Sequence, residues 1–265
     1  MSQSYWTTRN KPYEPGQNAP YKLSRSKIEL FMQCPRCFWL DVRIKIKRPD
    51  GPPFNINKAI DELFKKEFDT HREAGTKHPL QEKFNINAKP FAHENMDKWR
   101  HNFTGVSTVH AKTNLYIFGA VDDVWIDEDE KLIVVDYKAT AKAEPVKSLG
   151  AEGTWHDSYR RQMEIYQWLL RQNGFKVSDT GYFVYATGDI NAAEFNDTVQ
   201  FTTHVFPHVG SDKWVDNTLL EMKSCMDSDD MPKVGKAAMG GDCDYCTYAK
   251  RRTELTLNHL NNKSS

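Results

Sequence analysis

Long apolar runs are missing from this 265-residue sequence: none reaches the roughly 18 residues that a membrane-spanning helix needs. Residues 1–20 also lack the basic start and the apolar stretch of a secretory signal. Five cysteines are too few for a disulfide scaffold in a chain of this length. We therefore expect a cytoplasmic protein with a packed core and no membrane partner.

An excess of charge of either sign is missing as well, since 36 Lys and Arg residues balance 36 Asp and Glu residues. This balance counts mildly against nucleic-acid binding, because proteins that contact many phosphates usually carry a basic surplus. Local clusters matter more than the total, and basic residues cluster at 43–48 and at 250–252. Each cluster fits solvated surface as well as it fits phosphate binding.

Composition and periodicity predict one domain with additions at both ends. Residues 1–23 are rich in Pro, Gly, Asn and Gln, which predicts an extended or flexible arm. Residues 24–256 should form the domain, and residues 257–265 a flexible tail. A first helix should begin near Ser24 or Ser26 and end before the breaker RPDGPPFN at 48–55. A second helix is predicted at about 57–71, with a buried face of Ile60, Leu63, Phe64 and Phe68.

The middle of the chain changes to strand periodicity. The runs LYIFGAVDDVWI (115–126) and KLIVVDYKAT (131–140) flank an acidic turn and predict a β-hairpin. A short helix is expected within 91–103, a long helix at 155–172, strands at 181–187 and 199–206, and a last helix at 213–226. The predicted order, α, β, β, β, α, β, indicates an α/β fold.

One acidic constellation stands out by its context. Asp136 and Lys138 end the apolar run LIVV, where strand alternation puts both side chains on one face. The hairpin should bring Asp122 beside Asp136, and two adjacent carboxylates are costly to bury without a cation. Hard oxygen ligands suit Mg²⁺ or Mn²⁺. The alternative is that Asp122 and Asp123 are ordinary strand-end residues and that Asp136 and Lys138 form a structural ion pair.

A motif on the next predicted helix carries a family resemblance. Gln162 and Tyr166 lie one helical turn apart, as Q-x-x-x-Y. Together with G-x-V-D at 119–122 and D-x-K at 136–138, this motif resembles the RecB-like branch of the PD-(D/E)XK nucleases, which includes CRISPR-associated and AddB-type enzymes. The resemblance spans about residues 26–250. It implies a restriction-endonuclease-like αβββαβ core, a central mixed sheet flanked by helices.

The resemblance also implies roles for individual residues. Asp122, Asp136 and the backbone carbonyl of Tyr137 would bind the divalent metal, and Lys138 would be the catalytic lysine. Gln162 and Tyr166 would lie at the edge of the site and help to hold the substrate phosphate or the lysine.

An early-helix histidine that often adds a metal ligand in this family is missing here. Asp61 or Glu62 stands in its place, and Asp61 is the preferred ligand. The alternative is that both carboxylates face solvent and pair with Lys65 and Lys66.

Four of the five cysteines form two C-x-x-C pairs, Cys34/Cys37 and Cys243/Cys246. Two such pairs in a reducing compartment predict a four-thiolate site that joins the N- and C-terminal regions as a clamp. The resemblance favours a [4Fe-4S] cluster. Relatives build it from one early and three late cysteines, so the two-plus-two arrangement leaves Zn²⁺ as an alternative.

These features predict a Mg²⁺- or Mn²⁺-dependent deoxyribonuclease that acts on single strands or ends in DNA processing or repair. No helicase motif is recognisable, so a separate helicase or repair protein is an expected partner. The main alternative is an inactive nuclease-fold protein that binds nucleic acid or a partner around a structural metal site. Hydrolysis of RNA is a further possibility that the same chemistry permits.

Overall fold

The structure is a computed structural model that describes residues 11–51, 54–237 and 240–263. The chain forms two compact units. The cysteine unit comprises Met1–Gly51, Val109–Tyr116 and Asp216–Ser265, and the sheet unit comprises Pro52–Thr108 and Ile117–Val215. The single domain expected at 24–256 stays a prediction.

The described helices and strands alternate along the chain. In order they are β1 (Tyr21–Ser24), α1 (Arg25–Gln33), α2 (Pro35–Ile44), α3 (Asn55–Ala74), α4 (Pro79–Lys83), β2 (Ala88–Pro90), α5 (Met96–Arg100), β3 (Val106–His110), β4 (Leu115–Gly119), β5 (Asp123–Asp127), β6 (Leu132–Lys142), α6 (Asp157–Gln172), β7 (Thr180–Asp189), β8 (Phe201–Val209), α7 (Val215–Asp227) and α8 (Asp244–Lys263).

The sheet unit is built on a five-stranded mixed sheet with the order β2-β5-β6-β7-β8. Strands β6 and β7 are parallel and are connected through α6, whereas the other neighbouring strands are antiparallel. Helix α6 lies close to β7 at Gly181, where a Cβ atom would stand only 2.2 Å from Sδ of Met163. The expected α/β class with a central mixed sheet flanked by helices is confirmed.

The hairpin of β5 and β6 has the predicted turn. Oδ1 of Asp127 accepts hydrogen bonds from the backbone N–H groups of Asp129 and Lys131, at 3.0 and 2.8 Å. The ladder then pairs Ile126 with Leu132 and Asp123 with Val135. This register determines which acidic residues meet at the far end of the hairpin.

Helices α3 and α6 cover opposite faces of β6. The ring of Tyr137 lies 5.1 Å from the ring of Phe64 and 5.7 Å from that of Phe68, both on α3. The neighbouring residue Asp136 points to the other face, where Gln162 of α6 contacts it. The α3 side is a packed core with these members: Phe64, Phe68, Ile86, Ala88, Trp125, Ile133, Val135, Tyr137, Val184, Ala186 and Val205.

Two predicted elements are each divided in two. The first helix is interrupted at Cys34, whose extended backbone (φ −157°) precedes Pro35, the first residue of α2. The predicted strand 115–126 is divided into β4, in a sheet with the order β1-β4-β3, and β5. The backbone N–H of Val121 donates to the carbonyl of Trp99 (3.1 Å), so the chain leaves its ladder there.

The buried face of α3 was predicted wrongly at one position, because Leu63 is 61% exposed. Phe64 and Phe68 are buried and Ile60 is half-buried, a four-residue spacing that leaves Leu63 on the solvent side.

The predicted arm and tail are partly described. Of the arm, residues 1–10 lie outside the described residues, and β1 begins at Tyr21. Of the tail, residues 257–263 belong to α8 and residues 264–265 lie outside the description. The flexibility of both segments stays a prediction. No helix in the described ranges is long and apolar enough to cross a membrane.

Candidate active site and four-cysteine site

Asp122 and Asp136 meet at the end of the β5–β6 hairpin. The ladder pairs Asp123 with Val135, and continuing this register by one residue places Asp122 opposite Asp136. Oδ2 of Asp122 accepts a hydrogen bond of 2.9 Å from the backbone N–H of Tyr137. The ladder register and this hydrogen bond thus hold Asp122 opposite Asp136, where the hairpin was predicted to bring it.

The fully buried carboxylate of Asp136 has two side-chain partners. Nζ of Lys138 forms an ion pair with its Oδ2 atom. Nε2 of Gln162 donates a hydrogen bond of 2.8 Å to its Oδ1 atom and lies 3.3 Å from the hydroxyl of Tyr166. Gln162 therefore contacts Asp136, whereas the resemblance implied a contact with phosphate or with the lysine.

Burial and mutual repulsion shift the ionisation of this cluster. Burial raises the pKa of Asp122 to about 7, and the negative charge of Asp136 contributes in the same direction. Burial by itself lowers the pKa of Lys138, but the charges of Asp136 and Asp122 outweigh it and raise that pKa above its usual value. Lys138 is thus cationic at neutral pH, whereas Asp122 is only partly ionised there.

Asp61 of α3 is close enough to Asp122 for their charges to interact. Its Oδ2 atom accepts a hydrogen bond of 2.6 Å from Nζ of Lys65, as the ion-pair alternative anticipates. Its Oδ1 atom is buried and has no hydrogen-bond partner among the described residues. Burial raises the pKa of Asp61, and the charge of Asp122 raises it further. Glu62, the other candidate, is exposed, and its Oε1 atom lies 3.3 Å from Nζ of Lys65.

A buried ionic network behind the site was not anticipated from the sequence. The fully buried Asp123 accepts hydrogen bonds from Arg72 (2.5 Å) and Arg100 (2.8 Å). Its Oδ2 atom accepts a hydrogen bond of 2.7 Å from the hydroxyl of Tyr137. The side chains of Asp122 and Asp123 therefore lie on opposite faces of the sheet. Strand alternation is the feature of the sequence that could have predicted this difference.

A second unanticipated residue is Tyr159, in the first turn of α6. Nζ of Lys138 lies 4.6 Å from the centroid of its ring, which is a cation–π contact. Tyr159 precedes Gln162 by three residues, so both side chains project from one face of α6 toward β6.

The four paired cysteines converge in the cysteine unit. The sulfur atoms of Cys34 and Cys246 are 3.8 Å apart, those of Cys37 and Cys243 are 3.7 Å apart, and those of Cys37 and Cys246 are 3.5 Å apart. All four sulfur atoms lie within 4.8 Å of one another, and all four cysteines are free thiols. The predicted four-thiolate group is confirmed as a site that could bind a metal.

Donors surround these sulfur atoms. Sγ of Cys34 accepts hydrogen bonds from the backbone N–H groups of Gly235 (3.2 Å) and Cys37 (3.5 Å). Nη2 of Arg48 lies 3.3 Å from Sγ of Cys243, and its guanidinium group stacks 4.6 Å from the ring of Tyr245. Arg48 belongs to the basic cluster at 43–48, and its guanidinium group lies beside the cysteine sulfur atoms.

Comparison with known protein families assigns the chain to a superfamily. The family model described as "PD-(D/E)XK nuclease superfamily" matches residues 22–251. The chain belongs to this superfamily. Its members are typically nucleolytic and usually require divalent metals. No curated protein matches the sequence.

One solved structure, described as "Crystal structure of SSO0001", aligns with 83% of this PD-(D/E)XK chain and 82% of its own, at 15% identity. The TM-score of this alignment is 0.37, which is too low to add to the family assignment.

The acidic group of this PD-(D/E)XK chain offers the ligand type that a hard divalent cation prefers, with carboxylates from three segments of the chain. Among the described residues, the Oδ1 atom of Asp61 is buried and has no hydrogen-bond partner. Burial raises the pKa values of Asp61 and Asp122, and repulsion from a neighbouring carboxylate raises each further, so their ionised forms are unfavourable without added positive charge. A bound Mg²⁺ or Mn²⁺ would supply that charge with its preferred ligand type.

Proposed function

We propose that this protein is a Mg²⁺- or Mn²⁺-dependent deoxyribonuclease that hydrolyses phosphodiester bonds in single strands or at ends, in DNA processing or repair. The observation that carries the proposal is the buried cluster of Asp122, Asp136 and Lys138 at the end of the β5–β6 hairpin. In this proposal Asp61, Asp122, Asp136 and the carbonyl of Tyr137 hold the metal. The Q-x-x-x-Y motif supports assignment to the RecB-like branch of the superfamily.

The proposed chemistry depends on Lys138 as a cation. A bound divalent ion would polarise the phosphodiester and lower the pKa of a coordinated water. The raised pKa of Lys138 keeps its ammonium group protonated, so Lys138 would donate hydrogen bonds to the attacking water and to the phosphate. Its role is therefore electrostatic, and it would not remove the proton from the water.

Gln162 and Tyr166 would position the site from α6. The hydrogen bond from Gln162 fixes the orientation of the Asp136 carboxylate. The hydroxyl of Tyr166 lies beside the amide nitrogen of Gln162 and restricts its rotation. Ligands that are held in this way need less reorganisation when a metal binds.

For the cysteine site we propose one Zn²⁺ ion, the alternative that the sequence left open. Thiolates about 2.3 Å from a tetrahedral zinc stand about 3.8 Å apart. The separations of 3.5, 3.7 and 3.8 Å between sulfur atoms support this arrangement, whereas a cubane of four iron atoms separates its cysteines further. Elemental analysis would find one zinc per chain in a colourless protein, and a brown protein containing iron would overturn this assignment.

The nuclease proposal is tested by cleavage of labelled single-stranded DNA, duplex DNA and RNA with Mg²⁺ or Mn²⁺, and with chelator. We expect metal-dependent cleavage of DNA that Lys138→Ala and Asp136→Ala abolish. The matched controls are Lys131→Ala and Asp129→Ala, from a second D-x-K triplet in the exposed hairpin turn. Absence of cleavage by the wild type would support the inactive alternative. Cleavage of RNA but not of DNA would show that the substrate is RNA.

A further inference from the structure

An exposed tryptophan lies beside the proposed catalytic lysine. Trp155 lies two residues before the start of α6 and is 51% exposed. Its ring centroid lies 5.3 Å from that of Tyr159 in an edge-on contact, and the Tyr159 ring lies 4.6 Å from Nζ of Lys138. Trp155 is thus no more than about 10 Å from Lys138, which corresponds to about three stacked base steps at ~3.4 Å each.

The surroundings of Trp155 favour an aromatic anionic ligand. The ring of His156 lies against Trp155 with centroids 3.8 Å apart, which limits the freedom of the indole. Burial lowers the pKa of His156, and the positive charges of Lys142 and Arg160 lower it further, so both cations are close by. Arg160 is partly neutralised by Asp157, whereas Lys142 is exposed at the end of β6.

Helical and strand periodicity align these groups. Tyr159 and Gln162 are three residues apart and lie on one side of α6, which leads toward Asp136, and Trp155, in the turn before the helix, contacts the ring of Tyr159. Lys138 and Lys142 lie on one face of β6, because strand side chains alternate. Aromatic and cationic groups therefore extend together from the buried carboxylate to the exposed indole, as in surfaces that bind single strands by stacking and by phosphate contacts.

We infer that Trp155, supported by His156 and Tyr159, is a stacking subsite for one unpaired nucleobase of a single strand whose phosphate is held at Lys138. The subsite rests on the proposed nuclease function and specifies its substrate, because a base must be unstacked from its neighbour to lie against the indole. A purely local role, in which Trp155 only covers the start of α6, does not account for the exposure of half of the residue.

The test measures binding in a background that does not cut. The full chain is titrated in chelator, without divalent metal, by fluorescence anisotropy against a labelled single strand and against the same strand with abasic sites in place of its central bases. Stacking is worth ~1–3 kcal/mol per base, so Trp155→Ala should weaken binding of the normal strand about 5- to 150-fold. Trp155→Phe should retain most of the affinity. The abasic strand should bind equally to all three proteins, because it has no base to stack.

Two results would overturn the subsite: unchanged affinity of Trp155→Ala for the normal strand, or an equal loss of affinity for the abasic strand. Phe103→Ala, which truncates an exposed aromatic between α5 and β3, is the matched control and should bind like the parent. Cleavage is assayed separately, in the same proteins with Mn²⁺ present. Base-dependent binding without cleavage would support the subsite and refute hydrolysis. Cleavage without base-dependent binding would support hydrolysis and refute the subsite.

Discussion

The backbone N–H of Tyr137 donates a hydrogen bond of 2.9 Å to the carboxylate of Asp122, fifteen residues earlier in the chain. The bond places Asp122 against Asp136 although Asp122 lies just outside β5. Two carboxyl groups are thereby held together in a buried site, which is unfavourable until a proton or a cation joins them.

The first prediction concerns pH. The pKa of Asp122 is about 7 in the folded protein and near 4 when unfolded, so the folded state binds more protons between these values. Stability of the metal-free wild type should therefore fall as pH rises from about 4 to about 7. Asp122→Asn removes this ionisation and keeps an acceptor for Tyr137, so the variant should melt several degrees above wild type at pH 8.

Thermal unfolding in chelator at pH 4 and pH 8 checks this difference, which should vanish at pH 4. Asp129→Asn, in the exposed hairpin turn, should melt like wild type at both values. Equal melting of Asp122→Asn and wild type at pH 8 would show that Asp122 is not under electrostatic strain.

The second prediction concerns the network behind the site. Asp123→Asn removes the fully buried carboxylate of Arg72 and Arg100 and leaves them only the half-exposed Asp69, so it should destabilise the fold by about 3 kcal/mol. Tyr137→Phe removes one hydroxyl while both arginines keep their partner, and it should cost only about 1 kcal/mol. Denaturant unfolding of both variants measures the contrast. Similar losses in the two would mean that the arginines do not depend on Asp123.

The third prediction concerns Arg48. Four thiolates around one divalent ion carry net negative charge, and the guanidinium of Arg48 lies 3.3 Å from the sulfur of Cys243. Arg48→Ala should weaken metal binding about 10- to 100-fold, as loss of a supporting contact usually does. The affinity is measured by the transfer of metal from the protein to a chromophoric chelator. Lys47→Ala, which changes an exposed lysine, is the control. Equal transfer in both variants would contradict a role for Arg48 at the site.

The fourth prediction concerns Gly235, whose N–H group donates to Cys34. A Cβ atom at this position would stand 2.1 Å from the carbonyl oxygen of Gln33 and 2.4 Å from Cα of Cys34. Gly235→Ala should therefore displace Cys34 and reduce the metal content of the purified protein. Gly51→Ala adds a methyl group in open space and should retain the metal. Full metal occupancy in Gly235→Ala would show that the backbone can move without cost.

Local periodicity was sufficient to predict much of the candidate site. Alternation along β6 put Asp136 and Lys138 on one face, and the hairpin turn set the register that brings Asp122 opposite Asp136. The four-residue spacing of Gln162 and Tyr166 placed both on one side of α6. These relationships depend on residues close in the chain or joined by a short turn.

The remaining features depend on contacts between distant segments. The predicted strand 115–126 is interrupted at Val121, whose N–H donates to the carbonyl of Trp99. The arginines that bind Asp123 come from α3 and α5. Nothing near Arg48 in the sequence indicates its proximity to Cys243, which is 195 residues away. Periodicity describes which way a side chain points from its own element, and tertiary packing determines what it meets there.

The most direct test of the nuclease site is the rate of single-strand cleavage as a function of Mn²⁺ concentration, for wild type, Lys138→Ala and Lys131→Ala. Saturable, Mn²⁺-dependent cleavage by wild type and Lys131→Ala, with a loss of at least about 100-fold in Lys138→Ala, is the predicted result. Equal rates in the three proteins, or cleavage that persists in chelator, would contradict the assignment of Asp122, Asp136 and Lys138 as the catalytic centre.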